Sequence, residues 1–166
     1  LENKTNGGNG KLGIQGIKGN GAAAKQVRES LNAAWKYYLD NGKKVAPIER
    51  MLDRDYLVYV EDTQNRLMSS EISVAEFIGL CSVSQNQSTI ARLAVVGELT
   101  LSGTIKDVKN LEDYIRVAVN AGATRILLPA MCENDFRKLK DSDLLGIIPL
   151  YYDTPLEAAK IALEYK

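Results

Sequence analysis

Acid–base chemistry in this chain has few possible actors, because its 166 residues contain no histidine. That removes Ser-His-Asp and Cys-His machinery, His-based zinc sites and the usual proton shuttle at neutral pH. A proton acceptor must then be a lysine, tyrosine, aspartate or glutamate, or the chain terminus. Two carboxylates, Glu71 and Glu76, stand close enough in sequence to suggest paired acid–base work. Ser73 and Glu76 also have capping-box spacing, with Ser70 as a second start, and capping with dipole complementarity accounts for both glutamates more simply. The two cysteines, Cys81 and Cys132, lie in apolar or helical surroundings without metal-ligand spacing and read as buried free thiols. Reduced thiols fit a reducing compartment, the cytoplasm. The turn crowded by Gly16, Gly19 and Gly21 lacks the Gly-Lys-Ser/Thr ending of a phosphate loop and reads as a plain tight turn. No cofactor-binding or metal residue is therefore assigned in these residues.

The scaffold that must position any such group is one domain with a real core, given the length and a hydrophobic content of 45%. Lysine plus arginine equals aspartate plus glutamate, 21 of each, so no global charge draws the chain to nucleic acid or an anionic membrane. No apolar run approaches membrane-spanning length, and Leu1-Glu2-Asn3-Lys4 is no signal peptide. The start also lacks a methionine, which fits a piece of a larger protein. Residues 1–10, rich in Asn and Gly, are expected to form a flexible lead-in, and 11–166 the domain.

Within that domain Lys11 to Ile17 suits a short strand. Residues 22–39 carry Val27, Leu31, Ala34, Trp35 and Tyr38 at helical spacing, with Asn41-Gly42 as the stop. Tyr56 to Val60 is a β-branched and aromatic strand. Val74, Phe77, Ile78 and Cys81 form the buried stripe of a second helix. Leu93 to Val96 returns as a strand, and Leu111, Ile115, Ala118 and Val119 mark the inner face of a helix over 110–120. A strand follows up to Pro129, then a short exposed helix over 134–139 and a strand over 145–151. Thr154-Pro155-Leu156-Glu157 opens the last helix with a threonine cap, a first-position proline and a third-position glutamate. Alternating strands and helices predict a mixed α+β domain.

The least generic stretch is Val95-Val96-Gly97-Glu98-Leu99-Thr100-Leu101-Ser102-Gly103-Thr104-Ile105, a strand, turn and strand leading into the 110–120 helix. After it comes Ala121-Gly122-Ala123-Thr124-Arg125-Ile126-Leu127-Leu128-Pro129. This order resembles the proteolytic domain of the Lon family, with its Gly-Glu-Ile-Thr-Leu-x-Gly segment and its Ala-Gly-x-x-x-(Ile/Val)-Leu-(Ile/Leu)-Pro strand. Gly10-Lys11-Leu12, the 22–39 helix and residues 129–163 are similar to the same family's other segments. Ala75 to Ser82 (Ala-x-Phe-Ile-x-Leu-Cys-Ser) and Asn110-Leu111 resemble, within it, the Lon-like C-terminal domain of the BrxL subgroup of BREX phage-defence systems.

The resemblance implies a Lon-type fold and a Ser-Lys dyad, in which a desolvated lysine takes the serine proton. Counted without gaps, the serine slot falls on Glu71 and the lysine slot on Tyr114. Tyrosine, with an ordinary pKa near 10, is a poor base at neutral pH. The family's Pro-Lys-Asp-Gly-Pro-Ser-Ala-Gly loop is replaced by Gln64-Asn65-Arg66-Leu67-Met68-Ser69-Ser70-Glu71. A shift of one residue would offer Ser70, beside Ser69, as nucleophile, with Lys106 and Lys109 the nearest bases in sequence. Three readings follow. The favoured one is a degenerate Lon-like domain serving as an assembly or scaffold module of an AAA+ protein in phage defence. The others are an active ATP-dependent Ser-Lys peptidase with a rearranged site, and a DNA-binding module of the parent protein. By resemblance the parent would use ATP and Mg, form a homo-oligomeric ring and lack a membrane partner. No Walker-type Gly-Lys-Ser/Thr occurs in these residues.

Overall fold

The computed structural model describes residues 1–45, 51–62, 70–139, 144 and 146–165. Among these, two three-stranded sheets and five α-helices form the mixed α+β arrangement expected. In the first sheet β1 (Glu2–Gly7) and β2 (Leu12–Gln15) flank β3 (Arg54–Tyr59), antiparallel and parallel to it respectively. Parallel neighbours need a crossover, and helix α1 (Ala22–Asn41) supplies it between β2 and β3. Its Val27 and Leu31 pack with Val58 and Val60, while Ala34 and Tyr38 join Tyr56 in the main core.

The second sheet is wholly parallel, with β4 (Leu93–Val95) and β6 (Ile148–Tyr152) on either side of β5 (Arg125–Pro129). A parallel sheet is covered on both faces, so its central strand reads as a continuous apolar run. Ile126, Leu127 and Leu128 are all buried. Leu127 faces the core shared by α2 (Ser73–Gln85) and α5 (Pro155–Ala162). Ile126 and Leu128 face Leu111 and Ile115 of α3 (Leu111–Asn120) and Phe136 of α4 (Glu133–Arg137). Helix α2 lies at the centre, packed by α1, α5 and β1, and the stripe Val74, Phe77, Ile78, Cys81 is buried as read.

Three expectations are corrected. Residues 1–10 are not a flexible lead-in, because Glu2–Gly7 pairs along its length with β3. The ladder uses backbone groups that Asn and Gly supply as well as any residue, and Thr5 Oγ1 adds a bond to Asp55 O at 3.1 Å. The turn after β1 wraps the Asp55 carboxylate, whose Oδ1 accepts from the backbone of Asn9 and Lys11, both at 2.9 Å. Those two donors hold the Asp55 carboxyl below the usual range. Ser73 and Glu76 form no capping box on α2: Ser73 Oγ accepts from Leu99 N at 2.7 Å, and Glu76 points into the β1 seam. Distant partners outcompete the local bonds. Helix α4 is not simply exposed, since Phe136 is buried edge-on to Tyr151. The capping pattern at Thr154 is realised, with Thr154 Oγ1 accepting from Glu157 N at 3.2 Å and Glu157 Oε2 from Asp153 N at 2.8 Å.

Candidate functional site: a serine, a glutamate and a lysine beside α1

Gly97 sets the geometry. Its φ of +159° and the packing of Tyr152 Oη and Val74 against its Cα leave no room for a Cβ. Tyr152 is buried, which pushes its phenol up and keeps it a donor, here to Val96 O at 2.9 Å. With the chain this close, Gly97 N donates to Glu71 O at 3.1 Å and Gly97 O accepts from Val74 N at 3.2 Å. The approach to α2 is thereby laid along residues 97–99, with the Ser73 hydroxyl taking Leu99 N. Alternation along that extended segment buries Leu99 and turns its neighbour Glu98 to the other side, toward Ser70.

Ser70 Oγ donates to Glu98 Oε2 at 2.9 Å. The tight turn after Leu99, closed by the Leu99–Ile105 bridge, brings Lys106 back beside Glu98. Lys106 N donates to Glu98 O at 2.9 Å, and Lys106 Nζ pairs with Glu98 Oε1 at 2.6 Å. Ser30 Oγ of α1 holds the Ser70 carbonyl from behind. Each carboxylate oxygen thus serves one partner, hydroxyl on one side and ammonium on the other. The three side chains border an open groove of about 960 Å³ between α1 and the 98–106 turn, whose other walls include Ala33, Leu101 and Ser102. The lysine side chain is 48% exposed and the glutamate 18%, so the site is wet at the amine end.

The structure therefore brings together Ser70 and Lys106, two of the six residues singled out from sequence, through a third that the reading missed. Glu98 was visible only as a motif residue; the polar position opposite Leu99 in an alternating segment was the available signal. Glu71 is half-buried and contributes its carbonyl to Gly97. Tyr114 is half-buried in the cluster of α3, β5 and α4, away from the groove lining. Lys109 is exposed in the segment before α3 and does not line the groove. Ser69 and the other residues of 63–69 lie outside the described residues. Burial pushes the thiols of Cys81 and Cys132 up, the latter to about 11, which makes both poor nucleophiles. Among the described residues no three His, Cys, Asp or Glu side chains are placed to hold a metal, and no helix is long and apolar enough to cross a membrane.

A family model of the Lon protease (S16) C-terminal proteolytic domain matches residues 1–152. The chain belongs to the Lon protease family. The Lon-like protease BrxL of Bacillus cereus (strain H3081.97) is 30% identical over 135 residues, covering 81% of this chain and 19% of that protein. Its counterpart from Escherichia coli O9:H4 (strain HS) is 27% identical over 163 residues, 98% of this chain and 23% of its own length. A Lon protease from Flavobacterium johnsoniae is 27% identical over 164 residues, 98% of the chain and 20% of that protein. The Lon-type domain thus spans about a fifth of these relatives. For a serine to attack a carbonyl, a neighbour must take its hydrogen. Lysine does so only as a neutral amine.

Proposed function

We propose that this Lon-type domain lacks a working Ser-Lys dyad and serves as an assembly or scaffold module of a larger ATP-driven protein of the BrxL kind. One observation carries the reading: the Ser70 hydroxyl donates to Glu98, and Lys106 is engaged by the same carboxylate in a solvent-open groove. The base that the family's chemistry calls for is neither dry nor unpaired at this serine. The inherited slots, Glu71 and Tyr114, offer an acid and a phenol instead. ATP, magnesium and ring assembly are proposed for the parent protein. Any nucleotide would be held outside these 166 residues, which contain no Gly-Lys-Ser/Thr.

The competing reading, an active Ser-Lys peptidase with a rearranged site, draws on the same three side chains: Glu98, bonded to both, would pass the Ser70 proton on to a neutral Lys106. A fluorophosphonate probe and a casein-cleavage assay on the full chain separate the two. The scaffold reading expects neither labelling nor cleavage, and the same null result for Ser70→Ala. Labelling that maps to Ser70 and disappears in both Ser70→Ala and Glu98→Gln would replace it with the peptidase.

A further inference from the structure

A second carboxyl group has chemistry that the groove does not absorb. Glu76 is fully buried in the seam between α2 and β1, and among the described residues no basic side chain is bonded to it. Asn3 Nδ2 donates to its Oε2 at 3.2 Å, and both Glu76 Oε1 and Asn3 Oδ1 are buried without a hydrogen-bond partner among the described residues. Two orphan acceptors on one contact are costly in a dry site. One proton removes both deficits. Placed on Oε1, it would give that oxygen a hydrogen to donate toward Asn3 Oδ1, completing an acid–amide ring with the existing N–H···O contact.

The seam is shaped for this pair. Gly79, three residues along α2, has no side chain, and a Cβ there would overlap Asn3 Nδ2. Asn3 is fixed in register opposite Val58 of β3. We infer that Glu76 is kept as the neutral acid, paired with Asn3, and that this acid–amide pair is a pH-sensitive latch holding β1 on α2, closed in acid and opened when Glu76 ionises. Burial, the largest influence on this carboxyl, pushes it up to about 8; the Asn3 bond pulls the other way. Among the described residues, other titratable groups turned toward α2 include Tyr37 and Tyr38 of α1, Tyr56 and Arg54 of β3, Tyr152 of β6 and Tyr165 after α5, with Cys81 on α2 itself. Arg54 reaches Ser84 O and Tyr165 reaches Gln85, at the opposite end of the helix.

An unfolded glutamate titrates near pH 4.3, so between roughly pH 4.3 and 8 the folded state holds one proton more than the unfolded state. Stability then falls as pH rises through that window and levels off above it. Chemical unfolding of the full chain from pH 5 to 9, compared with Glu76→Gln, reads this directly, because glutamine offers Asn3 the same two bonds at every pH. The folding equilibrium constant of the parent should fall about tenfold per pH unit relative to E76Q between pH 5 and 8. Hydrogen-exchange protection of β1 amides should fall with it, and in E76Q should not. Equal pH slopes in the two proteins would overturn the latch. So would a carbon-13 titration of the parent in which the Glu76 carboxyl is already ionised at pH 6, a measurement that holds even where E76Q fails to fold.

Discussion

Glu98 holds Ser70 just ahead of α2 and Glu76 lies in the first turn of that helix, yet they sit in opposite environments. Glu98 faces a solvent-open groove, shares its oxygens between a serine and a lysine, and keeps its charge matched. Glu76 lies in a closed seam, meets an amide as its hydrogen-bond partner among the described residues, and has its proton held by burial. A serine–lysine mechanism needs the second environment around the members of the first: an amine stripped of water and of counter-charge, beside a hydroxyl. In this domain the dehydrated place at Glu76 and the Ser70 hydroxyl are a few residues apart in sequence, but they do not coincide. Family membership fixes the scaffold, whereas chemistry depends on which pocket excludes water.

Three substitutions test how independent the two environments are, and they should differ in size. Gly97→Ala strikes the joint on which both depend, since any Cβ collides with Tyr152 and Val74 and φ is unfavourable for alanine. Overpacking and backbone strain together should destabilise the domain by about 3–5 kcal/mol in chemical unfolding. A loss under 1 kcal/mol would mean that the two halves of the site are not held in register there. Gly79→Ala touches the seam alone: it drives Asn3 out, with an expected loss of about 1–3 kcal/mol and faster exchange at β1, while the groove is unaffected. Glu98→Gln touches the groove alone. Because Lys106 is half exposed, solvent screening limits the ion pair, and the loss should be about 0.5–1 kcal/mol in the same unfolding assay. A loss larger than that of Gly79→Ala would reverse the assignment of wet and dry.

Much of this architecture was written in local pattern. The apolar run Ile126-Leu127-Leu128 announces a strand covered on both faces, the spacing of Val74, Phe77, Ile78 and Cys81 announces an inward helix stripe, and Thr154-Pro155 announces a helix start; each relies on neighbours within a turn or two. The misses share one physical cause. Asn3 and Glu76 meet across 73 positions of sequence, so nothing near either shows that one is a buried acid and the other its partner. The same holds for Ser70 and Glu98, 28 positions apart, and for β1, whose polar composition suits an edge strand but carries no periodic signal. Of the candidate site, Ser70 and Lys106 were nameable, and the carboxylate that joins them was not.

The pairing of β1 with β3 has a consequence for biosynthesis. Thr5 and Asp55, joined in the finished sheet, are 50 positions apart, so the first strand emerges from the ribosome long before its ladder partner and must wait with its backbone groups unpaired. An apolar segment in that position would invite pairing between nascent chains. Glu2-Asn3-Lys4-Thr5-Asn6-Gly7, hydrated and charged, can wait in water until α1 and β3 have been made.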